Sequence, residues 1–379
     1  MIINNQSQDY VDNIEVEQIE TDSTKRLMER PFDPTKINIE TKTPSLDTII
    51  KRIKNKTVQL NTESYFQRKD DLWDVVKQSR LIESILIQFP LPAFFFDATN
   101  DENWLVVDGL QRLSSIRNFC VEKRIKLTEL EFLTQLNGKT WDDLPSNLQT
   151  RIEESQVVIY KIMPGTPTDV KFNIFKRINT GGLTLEPQEI RHALFQGKPA
   201  AFIAELARIP EFLQATSHKI PTNRMEDRDF ANRFLCFYLL GYDNYQSDLD
   251  TYMSKAMAMI NHKTDSEIKK ITDDFKSAMD LSGRIFGREA FRKVYQDNQT
   301  LPPINKALFD AISTRFAQLT FEERQKMERE GAFFKELLKN KLSEDPDFFT
   351  SVTSSTGDKN RIVKRHEVLQ ELINQTLSV

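Results

Sequence analysis

The strongest constraint on the fold is a change of apolar pattern across Gly109. The residues Trp104 to Val107 form a continuous apolar run typical of a buried strand, and after Gly109 the apolar residues recur at helical spacing. A second short apolar run, Phe94 to Phe96, is separated from the first by the polar stretch 99–103, which favours a turn. Two such runs around a turn predict a β-hairpin that leads directly into a helix.

Helical spacing dominates the rest of the sequence. The segment Val75 to Phe89 predicts an amphipathic helix that Pro90 and Pro92 end. A further strand is predicted at Val157 to Tyr160. Helices are predicted from about Val170 to Ile178 and over 186–196. Beyond residue 200 we expect only helices, over 200–215, 226–242, 246–261, 265–296, 303–318, 321–342 and 359–377.

These patterns predict an α+β chain with a small mixed sheet near its beginning, followed by a large helical domain. We divide it into a flexible acidic arm and linker (1–45), a mixed domain (46–200) and a helical domain (201–379). The arm carries six acids and no Lys or Arg over residues 1–24. Such a segment is either a solvated leader or a tail that binds a partner or mimics nucleic acid.

Composition narrows the class of protein. The chain has 379 residues, 26 Phe and only 11 Gly, which favours helices over a barrel of short strands. A net charge of -4 argues against a basic coat for nucleic acid, although a local basic patch stays open. Cys120 and Cys236 lie too far apart in sequence for a metal or redox motif. No stretch approaches the roughly 20 apolar residues of a membrane span, so we expect a cytoplasmic protein without a membrane partner.

The strand–glycine–helix junction is the first candidate site. Free N–H groups at a helix N-terminus favour a phosphate, and Gly109 allows its close approach. Arg112 would add a bidentate contact to phosphate oxygens, Gln111 would orient an oxygen or a water, and Asp108 would hold Mg²⁺ or a water. The alternative is that Asp108 only caps the helix and Arg112 is a solvated surface residue.

The stretch Phe175 to Gly182 is the second candidate. Arg177, Asn179 and Thr180 place polar groups beside a backbone that can approach a ligand, but two glycines after a helix are also an ordinary helix end. Other sites find little support. Gly138-Lys139-Thr140 lacks the earlier glycine of a P-loop, and the four His residues have no metal-ligand spacing.

Several stretches together resemble a known family, the N-terminal domain of GmrSD-type restriction endonucleases, which is related to the ParB/sulfiredoxin-like superfamily. The resemblance covers roughly residues 50–240. The stretches that carry it, in sequence order, are Tyr65 to Arg68, Leu81 to Ile85 with Pro90 and Pro92, Val106 to Leu113, Phe175 to Gly182, Glu189 to Ala193 and Asn223 to Asp227.

The resemblance implies a ParB/sulfiredoxin-like mixed core and a site for a nucleoside triphosphate with Mg²⁺. The family motif Asp-Gly-Gln-Gln-Arg serves nucleotide binding and hydrolysis, and here it reads Asp108 to Arg112 with Leu110 in place of the first Gln. If that Gln positions the attacking water, its replacement would make hydrolysis weak or absent while nucleotide binding remains through Gly109 and Arg112. If it faces the interior of the fold, Leu110 would affect neither binding nor hydrolysis. The residues that would complete the pocket are Gln67, Arg68, Arg177, Asn179 and Thr180.

We therefore expect a nucleotide-binding regulatory or sensor subunit of a prokaryotic restriction or anti-phage system, with hydrolysis left open. No His-Asn-His nuclease domain is recognised, so DNA would be reached directly or through a nuclease partner. The rival hypothesis is a non-catalytic DNA- or protein-binding adaptor that kept the fold without turnover. A nuclease acting alone is the least supported. No oligomeric state is predicted.

Overall fold

The chain folds into two compact units. The structure is a computed structural model that describes residues 14–15, 34–60, 73–178, 185–246, 248–294 and 301–379. One unit, called the α+β unit below, spans Phe32–Leu185. The other, called the helical unit, spans Glu186–Val379 together with Met1–Pro31. The predicted fold class, a mixed sheet followed by a mainly helical region, is confirmed.

A five-stranded mixed sheet forms the centre of the α+β unit. Its spatial order is β1-β5-β3-β4-β2. The pairs β1/β5 and β3/β4 are antiparallel, and the pairs β3/β5 and β2/β4 are parallel. The strands are β1 (Ile39–Lys42), β2 (Val58–Gln59), β3 (Phe94–Asp97), β4 (Trp104–Asp108) and β5 (Ile159–Ile162).

Five α-helices accompany this sheet: α1 (Leu46–Lys54), α2 (Val75–Leu86), α3 (Leu110–Ile116), α4 (Ser146–Glu154) and α5 (Thr168–Ile178). The apolar residues of α1, α2 and α3 join those of β3 and β4 in one hydrophobic core. The helix α3 has only seven residues and continues into a short π-helix, Arg117–Val121. The unit is thus built around the hairpin and the helix that follows it.

The predicted hairpin and the helix before it are confirmed. The strands β3 and β4 pair antiparallel, with a register shift between Phe95 and Phe96. The helix α2 begins where Asp74 accepts a hydrogen bond from the Lys77 N–H, 2.7 Å. It ends at Leu86, before the predicted end, because Gln88 adopts a left-handed conformation with φ of 62°.

The sheet also contains strands that the pattern did not predict. The strand β1 lies within the segment assigned to the arm and linker, and three of its four residues are exposed, so it lacks an apolar signal. The strand β2 has only two residues, too few for a period to show. The strand β5 begins at Ile159, two residues later than predicted, because pairing with both β1 and β3 starts there.

The helical unit contains eleven described α-helices. They are α6 (Pro187–Leu194), α7 (Lys198–Leu206), α8 (Pro210–Ala215), α9 (Glu226–Leu240), α10 (Leu249–Ile260), α11 (Asp265–Phe286), α12 (Lys306–Ala317), α13 (Phe321–Arg329), α14 (Gly331–Glu344), α15 (Pro346–Ser351) and α16 (Lys359–Ser378).

The predicted segments of this unit are confirmed as helical, with breaks at Pro210, Gly287 and Gly331 that divide or shorten three of them. No helix among the described ranges is long and apolar enough to cross a membrane.

The helical unit also receives a contact from the beginning of the chain. Ile14 is buried and forms a β-bridge with Ile304. The next residue, Glu15, donates its N–H to the Ile304 carbonyl at 2.9 Å and accepts a bond from the Asn305 amide at 2.8 Å. The ammonium of Lys293 pairs with the same carboxylate. Part of the acidic segment is therefore held by the helical unit.

A buried ionic group crosses the core of the helical unit. The Asp310 carboxylate of α12 has no exposed surface and accepts two bonds from Arg233 of α9, at 2.8 and 2.7 Å. Its second oxygen also accepts a bond of 3.3 Å from Arg365 of α16. One carboxylate thereby bonds to two guanidinium groups that are shielded from water and joins three helices.

Because Asp310 is a buried carboxylate bonded to two buried guanidinium groups, replacing it by Asn removes a negative charge that both of them share. We expect Asp310→Asn to lower the free energy of unfolding by about 3–5 kcal/mol. The control is Asp280→Asn, since the Asp280 side chain is about half exposed and pairs with the exposed Arg284; it should change stability by no more than about 0.5 kcal/mol. Urea unfolding measures both, and equal effects would contradict the assignment.

A second buried carboxyl group is poorly satisfied. Asp227 lies in the first turn of α9, and its Oδ1 atom is buried without a hydrogen-bond partner among the described residues. Burial raises the pKa of Asp227 to about 6, although the Arg228 backbone N–H and guanidinium oppose the shift. The folded protein therefore binds a proton at Asp227 more readily than the unfolded chain does.

The raised pKa makes the charged Asp227 destabilising, with a cost that is absent below about pH 4 and complete above about pH 7. We expect the stability of Asp227→Asn relative to the natural protein to increase between these two pH values, by on the order of 2 kcal/mol. Urea unfolding of both proteins at pH 4 and pH 7 measures this difference. A difference that does not vary with pH would show that Asp227 ionises normally.

Candidate functional site

The predicted junction between strand and helix is present. Four residues of β4 are buried, and its last residue, Asp108, is half-buried at the end of the strand. Gly109 then occupies the N-cap position of α3, and no side chain caps the helix there. Asp108 is therefore not the helix cap, and the alternative prediction that it only caps α3 is wrong.

Gly109 is required by both its conformation and its surroundings. Its φ of +96° lies in the region that favours glycine. A Cβ atom at this position would lie 2.4 Å from the Phe94 ring and 3.1 Å from the Arg112 guanidinium. The close approach that this glycine allows is thus an internal one, between the turn and the first residue of β3.

Arg112 is directed into the protein and is not a solvated surface residue. The residue is 9% exposed, and its guanidinium lies 4.5 Å from the centre of the Phe94 ring. Its Nη2 atom donates to the Ala93 carbonyl at 3.1 Å and to Asp108 Oδ2 at 2.9 Å, and Nη1 donates to the Pro92 carbonyl. Burial lowers the pKa of Arg112, an effect that Asp108 opposes.

Both terminal nitrogens of Arg112 are therefore bonded to acceptors within the protein. They join the segment before β3 to the end of β4, which fixes the junction from which Asp108 projects. In this arrangement a bidentate contact with a phosphate would require Arg112 to leave these acceptors. That contact stays a prediction.

Gln111 and Leu110 face different surroundings. The Gln111 Oε1 atom accepts a bond of 3.1 Å from the Trp73 N–H, just before α2, while its amide nitrogen has no described partner. The Leu110 side chain is half-buried and packs against the hydrophobic core. The position at which this sequence departs from the motif therefore faces the fold.

Asp108 keeps one oxygen for a ligand. Its Oδ2 atom is paired with Arg112, and its Oδ1 atom has no described partner. No group of three or more metal-ligating His, Cys, Asp or Glu side chains occurs among the described residues. The residues present thus do not form a Mg²⁺ site by themselves, but they fit a Mg²⁺ ion whose other ligands are nucleotide phosphates and water.

The other predicted pocket residues are only partly described. Gln67, Arg68, Asn179 and Thr180 lie outside the described residues. Arg177 is exposed in the last turn of α5, and no hydrogen bond or ion pair of the described chain joins it to the junction.

A buried polar cluster that the sequence did not predict holds α5 in place. The Lys171 ammonium of α5 donates to Asp97 at the end of β3, 2.9 Å, and to the Thr99 hydroxyl. Asp97 also accepts the Thr99 N–H at 2.9 Å. An Asp two residues before a Thr indicates such a turn, whereas nothing in the sequence pairs Asp97 with a lysine 74 residues away.

Comparison with known proteins gives a family match for the segment that contains the junction. Residues 46–196 match the family model described as GmrSD restriction endonuclease, N-terminal domain. The resemblance stated from the motifs is thereby confirmed for this segment, which contains the whole junction. Searches of curated proteins and of solved structures found no match to the chain.

Two glycine variants separate backbone strain from the close approach of Phe94. Gly109→Ala and Gly138→Ala both place a side chain at positive φ, which costs about 1–2 kcal/mol. A Cβ at Gly138 would meet no atom within 4 Å, whereas at Gly109 it would meet Phe94. We expect Gly109→Ala to be more destabilising by about 1–3 kcal/mol. Urea unfolding tests this, and equal losses would exclude a packing role for Gly109.

Proposed function

We propose that this protein is a nucleoside-triphosphate-binding subunit of a prokaryotic restriction or anti-phage system, with its nucleotide site at the junction of β4 and α3. The observation that carries the proposal is that Asp108 and Gln111 present half-buried polar side chains, each with an unpaired atom, in a domain that matches the GmrSD restriction endonuclease N-terminal family.

The nucleotide would be held by donors and acceptors on one small surface. The Gln111 amide nitrogen supplies a donor to a phosphate oxygen or a water, and Asp108 Oδ1 supplies one oxygen ligand to a Mg²⁺ ion that arrives with the triphosphate. Bound Mg²⁺ would neutralise phosphate charge. Gln67 and Arg68 stay proposed phosphate-binding residues and lie outside the described residues.

Arg112 acts in this proposal mainly as a positioning residue. Its bonds to Asp108 and to the Pro92 and Ala93 carbonyls hold the carboxylate at the end of β4. A direct contact of Arg112 with a phosphate would require the guanidinium to exchange these acceptors for phosphate oxygens, which also form strong charge-assisted bonds with arginine. Arg177, Asn179 and Thr180 stay proposed phosphate-binding residues.

Hydrolysis depends on Gln111 and not on position 110. Because the Leu110 side chain packs on the core, its substitution for Gln leaves the polar atoms of Asp108 and Gln111 in place. Gln111 would then orient the attacking water. We propose that turnover is coupled to DNA through a separate nuclease partner.

Calorimetric titration with each nucleoside triphosphate in the presence of Mg²⁺ tests the binding site. We expect Asp108→Asn and Gln111→Ala each to weaken binding at least about tenfold, which corresponds to the loss of one charge-assisted contact. The matched control is Asp169→Asn, because Asp169 is exposed in the first turn of α5. Absence of binding to every triphosphate, or equal affinity in all variants, would overturn the proposal.

One observation favours an adaptor without turnover as the second candidate. Both terminal nitrogens of Arg112 are bonded inside the protein, so the guanidinium is not directed at a bound phosphate in this conformation. Phosphate release measured with and without DNA separates the two functions. An adaptor shows no release in either case, whereas the proposed enzyme shows release that Gln111→Ala abolishes.

A further inference from the structure

The α+β unit contains a cavity, separate from the junction of β4 and α3, that is lined mainly by basic side chains. It has a volume of about 270 Å³ and lies between α1 and the sheet. Lys42 of β1, Arg52 of α1 and Lys161 of β5 line it, and Asp101 is the acidic residue among its lining residues. Apolar side chains, among them the buried Trp104, complete the wall. An excess of positive charge in a small, partly apolar cavity is suited to an anion.

The two lysines share one carboxylate. The Glu40 side chain pairs with Lys42 at 3.0 Å through one oxygen and with Lys161 through the other. Lys161 itself is 5% exposed, so its charge is held close to the cavity and away from bulk water. These ion pairs also hold the pKa of Glu40 below its usual value, the hydrogen bond from Lys161 being the largest cause. With Glu40 and Asp101 both counted, the three basic residues exceed the two acidic ones by one positive charge.

The guanidinium N–H donors of Arg52 have no partner among the described residues. Its Cζ atom lies 3.7 Å from the centre of the Trp104 ring, and no hydrogen bond or ion pair within the described ranges engages the guanidinium. Stacking on the indole fixes the plane of the group but uses none of its N–H donors. No ion pair of the described residues joins Arg52 to Asp101, whose carboxylate accepts the Trp104 indole N–H at 3.2 Å.

We propose that this cavity binds a single phosphate group, either free phosphate or the phosphate of a small phosphorylated molecule. Arg52 would supply two parallel donors, and Lys42 and Lys161 would supply further charge-assisted bonds. The proposal does not include stacking of a nucleobase on Trp104, because Arg52 already lies over this ring at 3.7 Å and Lys161 lies 5.1 Å from its centre.

This cavity is distinct from the proposed nucleotide site. Trp104 and Asp108 are the first and last residues of β4. Four steps of about 3.3 Å along a strand separate their backbones by roughly 13 Å. A ligand at one end of β4 therefore does not use the same polar groups as a ligand at the other end, and the two proposals can fail independently.

The test is calorimetric titration of the full chain with inorganic phosphate at constant ionic strength. We expect saturable binding that Arg52→Gln weakens at least about tenfold and Lys161→Met weakens similarly, because each loses one charge-assisted contact. The matched control is Lys54→Gln, since Lys54 is an exposed residue of the same helix that does not line the cavity.

Two further ligands identify the source of the phosphate. A nucleoside monophosphate that competes with inorganic phosphate in the natural protein, but not in Arg52→Gln, indicates a phosphorylated small molecule. Binding of inorganic phosphate alone indicates free phosphate. The proposal is overturned if phosphate shows no saturable binding, if Arg52→Gln binds as the natural protein does, or if only duplex DNA binds. Arg52 is half-buried at the surface of α1, so urea unfolding should show that Arg52→Gln remains folded.

Discussion

The arrangement of the candidate site depends on the guanidinium of Arg112. It reaches back to the carbonyls of Pro92 and Ala93 before β3, and it also pairs with Asp108 at the end of β4. Phe94 lies against the same guanidinium and against Gly109. The hairpin, the turn and the helix are therefore fixed to one another at one point. Arg112, whose charge suggests ligand binding, therefore has a structural role at the candidate site.

The local part of this arrangement can be predicted from the sequence, whereas the long-range part cannot. Apolar runs predict β3 and β4, and the change of period across Gly109 predicts α3. The partners of Arg112 lie 19 and 20 residues earlier in the chain, and no periodicity specifies them. The exposed strand β1 was not predicted for a related reason, since its place in the sheet depends on backbone pairing with β5 and not on an apolar face.

Buried and half-buried charged groups are satisfied to different degrees within each unit. In the helical unit, Asp310 accepts bonds from two arginines and has a structural role, whereas the buried Oδ1 atom of Asp227 has no described partner. In the α+β unit two charged groups lack part of their hydrogen bonding among the described residues. The Oδ1 atom of Asp108 has no partner, and the guanidinium N–H groups of Arg52 have none. Buried or half-buried polar atoms without partners carry a desolvation cost, which a bound ligand would relieve. Of these groups, Asp108 and Arg52 lie in the segment that matches the restriction endonuclease family.

The contact of Ile14 with Ile304 has a consequence for the order in which the chain folds. The α+β unit ends at Leu185, so it is complete in sequence and can fold as soon as that residue has left the ribosome. Ile14 belongs to the helical unit. Its partner, Ile304, is synthesised roughly 120 residues after Leu185. At ordinary rates of translation this interval lasts on the order of ten seconds. During that time Ile14 lacks the native partner that covers it in the folded protein.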